Sequence, residues 1–337
     1  MSIQPPPDHT VRRPAMADAP AIYRLLAACG SAVLGEPDVT EEDVRAELVE
    51  PGFDPATDAW LVDDAAGELV GYGWACPKGG SDNLDVDAYV RPGADDALGP
   101  MLLAAAEERA VELGAERGHH SVVIDKGVYR QDAASAAWVR ARGYAVATTF
   151  HRMRIDLTGP VSAPQPPAGV TVRIATGEAD RRAAHTVKNT GFADHFGSIS
   201  DTFEEWWTRL STSAGHDPTQ LWLAEVDGAA AGMCRASDQF VVDQQAGYVG
   251  ALATLPAYRG RGIARLLLLT VFADSARRGR VAVLLHVDAA NTSGALRLYE
   301  SVGMRPVMQL DVWRKRLPTG VATGVATDAA TAVASAR

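Results

Sequence analysis

The chain predicts an α/β fold (an α+β mixed sheet) present twice, as two tandem copies of one domain. Three observations carry that expectation. Short apolar runs with strand character alternate with longer helical patterns, which implies a mixed sheet covered by helices. The two halves of the 337 residues repeat the same order of elements, and such self-similarity signals duplication. An uncharged, Pro-rich stretch over 158–169, TGPVSAPQPPAG, divides the halves and suits a semi-rigid linker.

The elements follow in parallel. Each half opens with a short strand ending in a similar phrase, Thr10-Val11-Arg12-Arg13 and Thr171-Val172-Arg173-Ile174. A helix follows over 18–29 and 179–190, then a strand pair at 59–63 with 69–75 and at 221–226 with 230–235. A further strand, a long helix, a buried strand and a short helix come next, closing at Gly143-Tyr144 or Gly303-Met304. Final strands are expected over 145–157 and 306–317. The expected organisation is a first domain at 1–157, the linker, a second domain at 170–317, and a tail at 318–337. The tail has no aromatic residue, Leu or Ile, so it has too little to bury and is expected to be disordered.

Composition narrows the function. Hydrophobic residues make up 47% of the chain, ample for packed cores. No apolar run approaches the ~20 residues of a membrane span, and the N-terminus lacks the apolar core of a signal peptide. A cytoplasmic location is the expectation, with no membrane partner. Cys29, Cys76 and Cys234 form no C-x-x-C pair, so neither a disulfide framework nor a metal site is expected. A net charge of −10 argues against nucleic acid as a partner.

The most informative stretch is 247–304. Within it, Arg259-Gly260-Arg261-Gly262-Ile263-Ala264 lies where a strand hands over to a helix. Small residues there let backbone N–H groups approach an anion, and the helix start adds partial positive charge. The glycines do not follow G-x-G-x-x-G with a later acidic residue, nor is there a Lys-Ser/Thr pair, which sets aside dinucleotide and Walker loops. The run reads R-x-x-G-x-A after Leu252-Ala253-Thr254 and Pro256. Further on come Asn291, Ala295, Leu298-Tyr299 and Gly303.

This combination resembles the GNAT superfamily of acetyl-CoA-dependent acetyltransferases, over nearly the whole chain when both halves are counted. The resemblance implies acetyl-CoA as co-substrate, no metal, and transfer to a primary amine of a small molecule. Residues 259–264 (Arg259, Gly260, Arg261, Gly262, Ile263, Ala264) would hold the pyrophosphate, and the main chain of Leu252, Ala253 and Thr254 the pantetheine arm. Asn291 would stand in the cofactor cleft, although Asn before Thr-Ser also suits a helix cap. Tyr299 would protonate the departing thiolate as a general acid. The aromatic-rich segment 190–210 would wall the acceptor pocket, with Phe192, His195 and Phe196 as substrate-side candidates and Trp206 and Trp207 beside them; Thr202 with Glu205 has capping-box form.

The general base stays open. The strand at 247–253 has no Asp or Glu. His286 is taken as the catalytic candidate because an imidazole accepts protons near neutral pH; Asp288 and Asp194-His195 are the alternatives. The tandem layout and the segment D-A-A-N-T-S-G-A-L-R-L-Y-E-S-V-G are also similar to one branch of the superfamily, the mycothiol synthases. That branch uses a glutamate where this strand has Tyr248. A non-catalytic acetyl-CoA-binding sensor or scaffold is a third reading.

The halves differ in chemistry. Aligning Pro92 with Pro256 sets Asp95 opposite Arg259 and Asp96 opposite Gly260, and aligning Gly143 with Gly303 sets Val139 opposite Tyr299. Residues 91–117 hold three Arg against six Asp and Glu, whereas 257–280 hold six Arg against one Asp. Only the second turn has the sign an anionic cofactor needs, so the first domain reads as a degenerate copy.

Overall fold

The structure is a computed structural model that describes residues 3–159, 161–193, 200–213, 215–290 and 294–321. In chain order its elements are β1 (Thr10–Arg12), α1 (Ala19–Leu34), α2 (Glu41–Glu47), α3 (Pro55–Asp58), β2 (Ala59–Asp63), β3 (Leu69–Pro77), β4 (Asn83–Val90), α4 (Leu98–Glu116), β5 (Ser121–Tyr129), α5 (Ala133–Ala141) and β6 (Ala145–Asp156). The second half continues with β7 (Val170–Ile174), α6 (Glu178–Phe192), α7 (Phe203–Thr212), β8 (Leu221–Val226), β9 (Ala229–Ser237), α8 (Val241–Gln244), β10 (Ala246–Thr254), α9 (Ile263–Arg277), β11 (Ala282–Asp288), α10 (Ala295–Ser301) and β12 (Arg305–Pro318). The repeated order expected from the sequence is present. Most of the tail at 318–337 lies outside the described residues.

The compact units are cut differently from the sequence halves. One unit comprises Met1–Ala15, Pro51–Lys126 and Arg314–Arg337; the other comprises Met16–Glu50 and Gly127–Trp313. Helices α1, α2 and α5 and strand β6, all from the first half, therefore belong with the second half. The domain limits 1–157 and 170–317 describe the repeat in the sequence, and the packing follows other limits.

In the smaller unit, β1, β2, β3 and β4 pair antiparallel in turn, and β4 runs parallel to β5. Helix α4 covers this sheet closely. A Cβ added at Gly71 or Gly73 would stand 3.1 Å from Leu102, so glycine is what lets the helix come so near.

In the larger unit the strand order is β12-β6-β11-β10-β9-β8-β7. Side chains alternate along each strand, and two cores result. Helix α9 lays Ile263, Leu266, Leu267, Val271 and Phe272 against Cys234, Val249, Val283, Leu285 and Met153. On the other set of side chains, α6 and α7 bring Ala184, Val187, Trp206 and Leu210 to Leu221, Leu223, Met233 and Ala253. Helix α7 starts with the capping box read from the sequence: Thr202 accepts from the Glu205 amide, and Glu205 accepts from the Thr202 amide at 2.9 Å.

Strand β6 is integral to this sheet. It pairs antiparallel with β11 from Ala282 opposite Asp156 to Asp288 opposite Phe150. Its Met153 is fully buried among the α9 core residues. The second half alone would lack that strand and leave an edge of β11 open, a template for aggregation. Residues 168–317 expressed alone are therefore expected to aggregate or to melt without cooperativity, as read by gel filtration and calorimetry. In the full chain, Met153→Ala is expected to cost about 2–5 kcal/mol in denaturant unfolding, the usual range for truncating a buried Met.

Candidate active site

The site begins with a strand that parts from its neighbour. Strand β10 runs parallel to β11 only from Ala246–Ala282 to Val249–Leu285. Its register against β9 on the other side slips between Val249 and Ala251 and then holds to Thr254 opposite Gly232. Such a slip is a β-bulge, and a bulge bends its strand and raises the local twist. Beyond Val249, β10 stays with β9 and has no strand partner on the β11 side among the described residues.

A cleft of about 560 Å³ fills the gap. Residues 249–254, the turn, the end of β11 and the first turns of α10 line it. Strand edges carry N–H and C=O groups at peptide spacing, which an extended amide chain can pair with. The Thr254 hydroxyl is buried here without a hydrogen-bond partner among the described residues. Helix α6 forms another wall and comes very close: a Cβ added at Gly191 would stand 2.8 Å from the Ala253 Cβ.

The turn at 259–264 has the form an anion needs. Gly260 and Gly262 have φ of 76° and 77°, a left-handed conformation that side-chain-bearing residues adopt at a cost. Gly262 caps α9, and no side chain bonds the amides there, so the first-turn N–H groups remain available. Gly260, Gly262, Ile263 and Ala264 line the cleft together with Arg259 and Arg265. Arg259 also reaches the Thr254 carbonyl at 3.4 Å. Arg261 is not among the lining residues; its guanidinium stacks on Tyr258, 5.9 Å from the ring centre. The features together fit a pyrophosphate carried on an amide-containing arm.

Tyr299 lies on α10. It is buried on the inner face of α10, lines the cleft, and makes no hydrogen bond among the described residues. Burial, with the neighbouring Cys234 and Tyr248, raises its pKa above the ordinary tyrosine value. A phenol that keeps its proton is in the right state for a general acid. Cys234 itself is fully buried and its thiol is pushed up to about 12, so it is an inert packing residue.

His286 also lines the cleft, but both ring nitrogens are engaged. Arg152 Nε donates to its Nε2 at 3.1 Å. Nδ1 then carries the proton and faces the Tyr248 hydroxyl at 2.9 Å. Arg152 is buried, pairs with Asp38 and lies over the Phe240 ring. Burial first, and then the Arg152 charge, lower the His286 pKa to about 3. With both nitrogens occupied and its basicity lost, His286 is poorly placed as a general base; its geometry suits holding Tyr248 in place. Asp288, on the same side of β11, is the one carboxylate among the described lining residues and accepts from the Ala290 amide at 2.9 Å.

Of the acceptor-side candidates, Phe192 lines the cleft, while Trp206 and Trp207 pack within the α6–α7 core. Asn291, His195 and Phe196 lie outside the described residues, as does Asp194. Lys188 and Phe150 line the cleft unforeseen. Lys188 is held by Asp201 at 2.8 Å. Phe150, Arg152 and Asp38 come from the first half, and no local pattern marks them.

The smaller unit differs at the matching position. There the parallel pairing of β4 with β5 stops at Asp85–Asp125, the position matching Val249–Leu285. The next residues inward, Asp87 and Lys126, form a buried ion pair, and Tyr89 donates to Asp87 at 2.9 Å. At the turn, Asp95 accepts from the Ala97 amide at 2.8 Å, placing a negative charge at the start of α4.

Fold and cleft together define a GNAT acetyltransferase, and the comparisons with known proteins agree. A family model described as "Acetyltransferase (GNAT) family" matches residues 184–304. A mycothiol acetyltransferase of Thermobispora bispora is 32% identical over 240 residues, covering 70% of this chain and 76% of that one. The chain belongs to the GNAT acetyltransferase family, whose members use acetyl-CoA. Among solved structures, a GCN5-related N-acetyltransferase from Sphaerobacter thermophilus superposes with a TM-score of 0.80 at 30% identity, over 93% of this chain and 97% of that one. A tandem GNAT protein from the clavulanic acid biosynthesis pathway shares the fold at 18% identity, with a TM-score of 0.70 over 94% of this chain and all of the other.

Tyr299→Phe is expected to lower kcat by roughly 10²–10⁴-fold with little change in acetyl-CoA affinity, measured by stopped-flow and calorimetry. Gly262→Val forces a β-branched residue to positive φ and is expected to weaken acetyl-CoA binding by about 5- to 100-fold, the equivalent of ~1–3 kcal/mol. Because His286 stays neutral above its lowered pKa, the rising limb of the kcat/KM pH profile should keep its midpoint in His286→Gln. A limb near the ordinary imidazole value that disappears in this variant would restore His286 as the base.

Proposed function

We propose that the chain transfers the acetyl group of acetyl-CoA to a primary amine of a small molecule, in the manner of a mycothiol acetyltransferase, with a cysteinyl amine as the first acceptor to test. The observation that carries this is the cleft where β10 leaves β11, with the anion turn at one end and the Tyr299 hydroxyl on its wall. The name shared by curated relatives such as that of Thermobispora bispora supports the acceptor.

Bound acetyl-CoA supplies an activated acyl group with a thiolate leaving group. The edge of β10 orients that arm, and a backbone amide near Ala253 stabilises the tetrahedral oxyanion. The amine attacks the thioester carbonyl carbon in its neutral form, held in line by the walls of α6 and β10, and the C–S bond breaks as the C–N bond forms. Tyr299 gives its proton to the departing sulfur. Asp288, reached through water, takes the proton from the amine, since β10 offers no carboxylate.

The smaller unit takes no part in acetyl-CoA binding, because its gap holds the Lys126–Asp87 pair and its turn carries Asp95. Calorimetry is expected to give one acetyl-CoA per chain. Two equivalent tight sites would overturn the assignment. The missing carboxylate on β10 favours a second reading, an acetyl-CoA sensor without turnover. A thiol-release assay with an amine panel separates the two: acceptor-dependent release of coenzyme A supports the transferase, and binding without release supports the sensor.

A further inference from the structure

Acetyl transfer needs an amine beside a thioester, and the cleft carries an amine of its own, since Lys188 lines it. The chain has four lysines, Lys78, Lys126, Lys188 and Lys315. Lys78 is paired with Asp85 at 2.6 Å, Lys126 with Asp87 and Lys315 with Glu107 at 3.1 Å, all within the smaller unit. Lys188 is the one primary amine among the described lining residues. The arginines there, Arg259 and Arg265, carry guanidinium groups that stay protonated and are not nucleophiles.

Helix α6 brings this amine to the opened strand edge. Lys188, Gly191 and Phe192 stand at i, i+3 and i+4, share one helix face, and all line the cleft. That face is pressed on β10: a Cβ at Gly191 would stand 2.8 Å from the Ala253 Cβ and 3.8 Å from the Thr254 nitrogen. Lys188 lies about one helical turn from this contact, on a flexible four-carbon stem. Its ammonium is anchored but not shut away. Nζ donates to Asp201 at 2.8 Å and to the Asn189 side chain at 3.0 Å, and the side chain keeps 20% of its surface exposed. Asp201 is also bound by Arg209 at 3.1 Å, so Lys188 can leave without stranding a bare carboxylate.

We propose that Lys188 is a self-acetylation site, whose amine takes the acetyl group from bound acetyl-CoA when no acceptor fills the cleft. The amine leaves Asp201, gives a proton to solvent and attacks the thioester carbonyl carbon. The C–N bond forms and the C–S bond breaks. Nitrogen loses its second proton to water, Tyr299 protonates the departing sulfur, and Tyr299 is reprotonated from solvent. The products are Nε-acetylated Lys188 and coenzyme A, with one proton released in all. A tethered amine reaches an effective concentration on the order of millimolar, so the reaction competes when acceptor is scarce. The modified side chain has no charge to offer Asp201, and its acetyl group stays in the cleft as an obstruction. The inference rests on the acetyl-transfer reading and extends it to the chain's own amine.

The test incubates the full-length protein with acetyl-CoA, with and without a panel of primary amines, and follows each lysine by peptide mass spectrometry. Without added amine, Lys188 is expected to be acetylated about 10-fold or more faster than Lys78, Lys126 or Lys315, at a rate independent of protein concentration. S-acetyl-N-acetylcysteamine, a thioester without the pyrophosphate, should give no such preference. Lys188→Arg should remove the fast label and leave the slow background on the other three. Equal labelling of all four lysines by acetyl-CoA would overturn the proposal. So would the same Lys188 preference with the truncated thioester, since the side chain would then be merely reactive. A Lys188 that stays unlabelled while an added amine is acetylated would refute self-acetylation and keep the transferase reading. A labelled Lys188 with no added amine acetylated would do the reverse.

Discussion

Everything at the site depends on one interruption of backbone pairing. β10 and β11 are bonded side by side as far as Val249 and Leu285, and then the bulge turns β10 away. A parallel sheet without that interruption would leave no room for a ligand, because its strands lie about 4.8 Å apart. The interruption costs ladder hydrogen bonds but leaves β10 supported by β9 on its other edge. The opened edge is therefore rigid as well as unsatisfied, which is what a binding site for an extended, amide-bearing molecule requires. The left-handed glycines at 260 and 262 finish the same design at the far end, where α9 begins.

The same constraint shapes the ionisable groups. Tyr299, Tyr248 and His286 are shielded from water, so burial dominates their chemistry. Tyr299 and Tyr248 are held in their protonated forms, and His286 in its neutral form. Asp38 and Arg152 fix the imidazole, which lines the cleft and in turn fixes the Tyr248 hydroxyl. A site arranged this way donates hydrogen bonds readily and accepts protons poorly, which agrees with the proposal that Asp288 takes the amine proton through water.

Much of this was legible in the chain, for physical reasons. The turn, Leu252 to Thr254 and Tyr299 lie in one continuous strand–turn–helix–strand–helix stretch, where spacing alone determines who is near whom. Element limits at β2 and β8 agree with the apolar runs, and the Thr202 capping box forms as its pattern indicates. What stayed hidden depends on distant pairing. Nothing local to Phe150 or Arg152 says that β6 borders β11, and nothing local to Asp38 says that it meets Arg152. Nothing local to Arg235 or Gly250 says that the register lays one over the other. His286 shows the opposite error: its identity suggested a base, and its partners remove that capacity.

The lodging of β6 beside β11 bears on how such a protein comes into being. During translation β6 leaves the ribosome long before β11 exists, so it must wait without its eventual neighbour. Contacts between segments so far apart in sequence close slowly, and an unpaired strand is a hazard in the meantime. The nascent first half is thus an unfinished object, dependent on its own later translation to be covered. It follows that gene duplication here did not yield two independent modules. Because β6 of the first half is paired with β11 of the second, the first half cannot be deleted without opening that sheet.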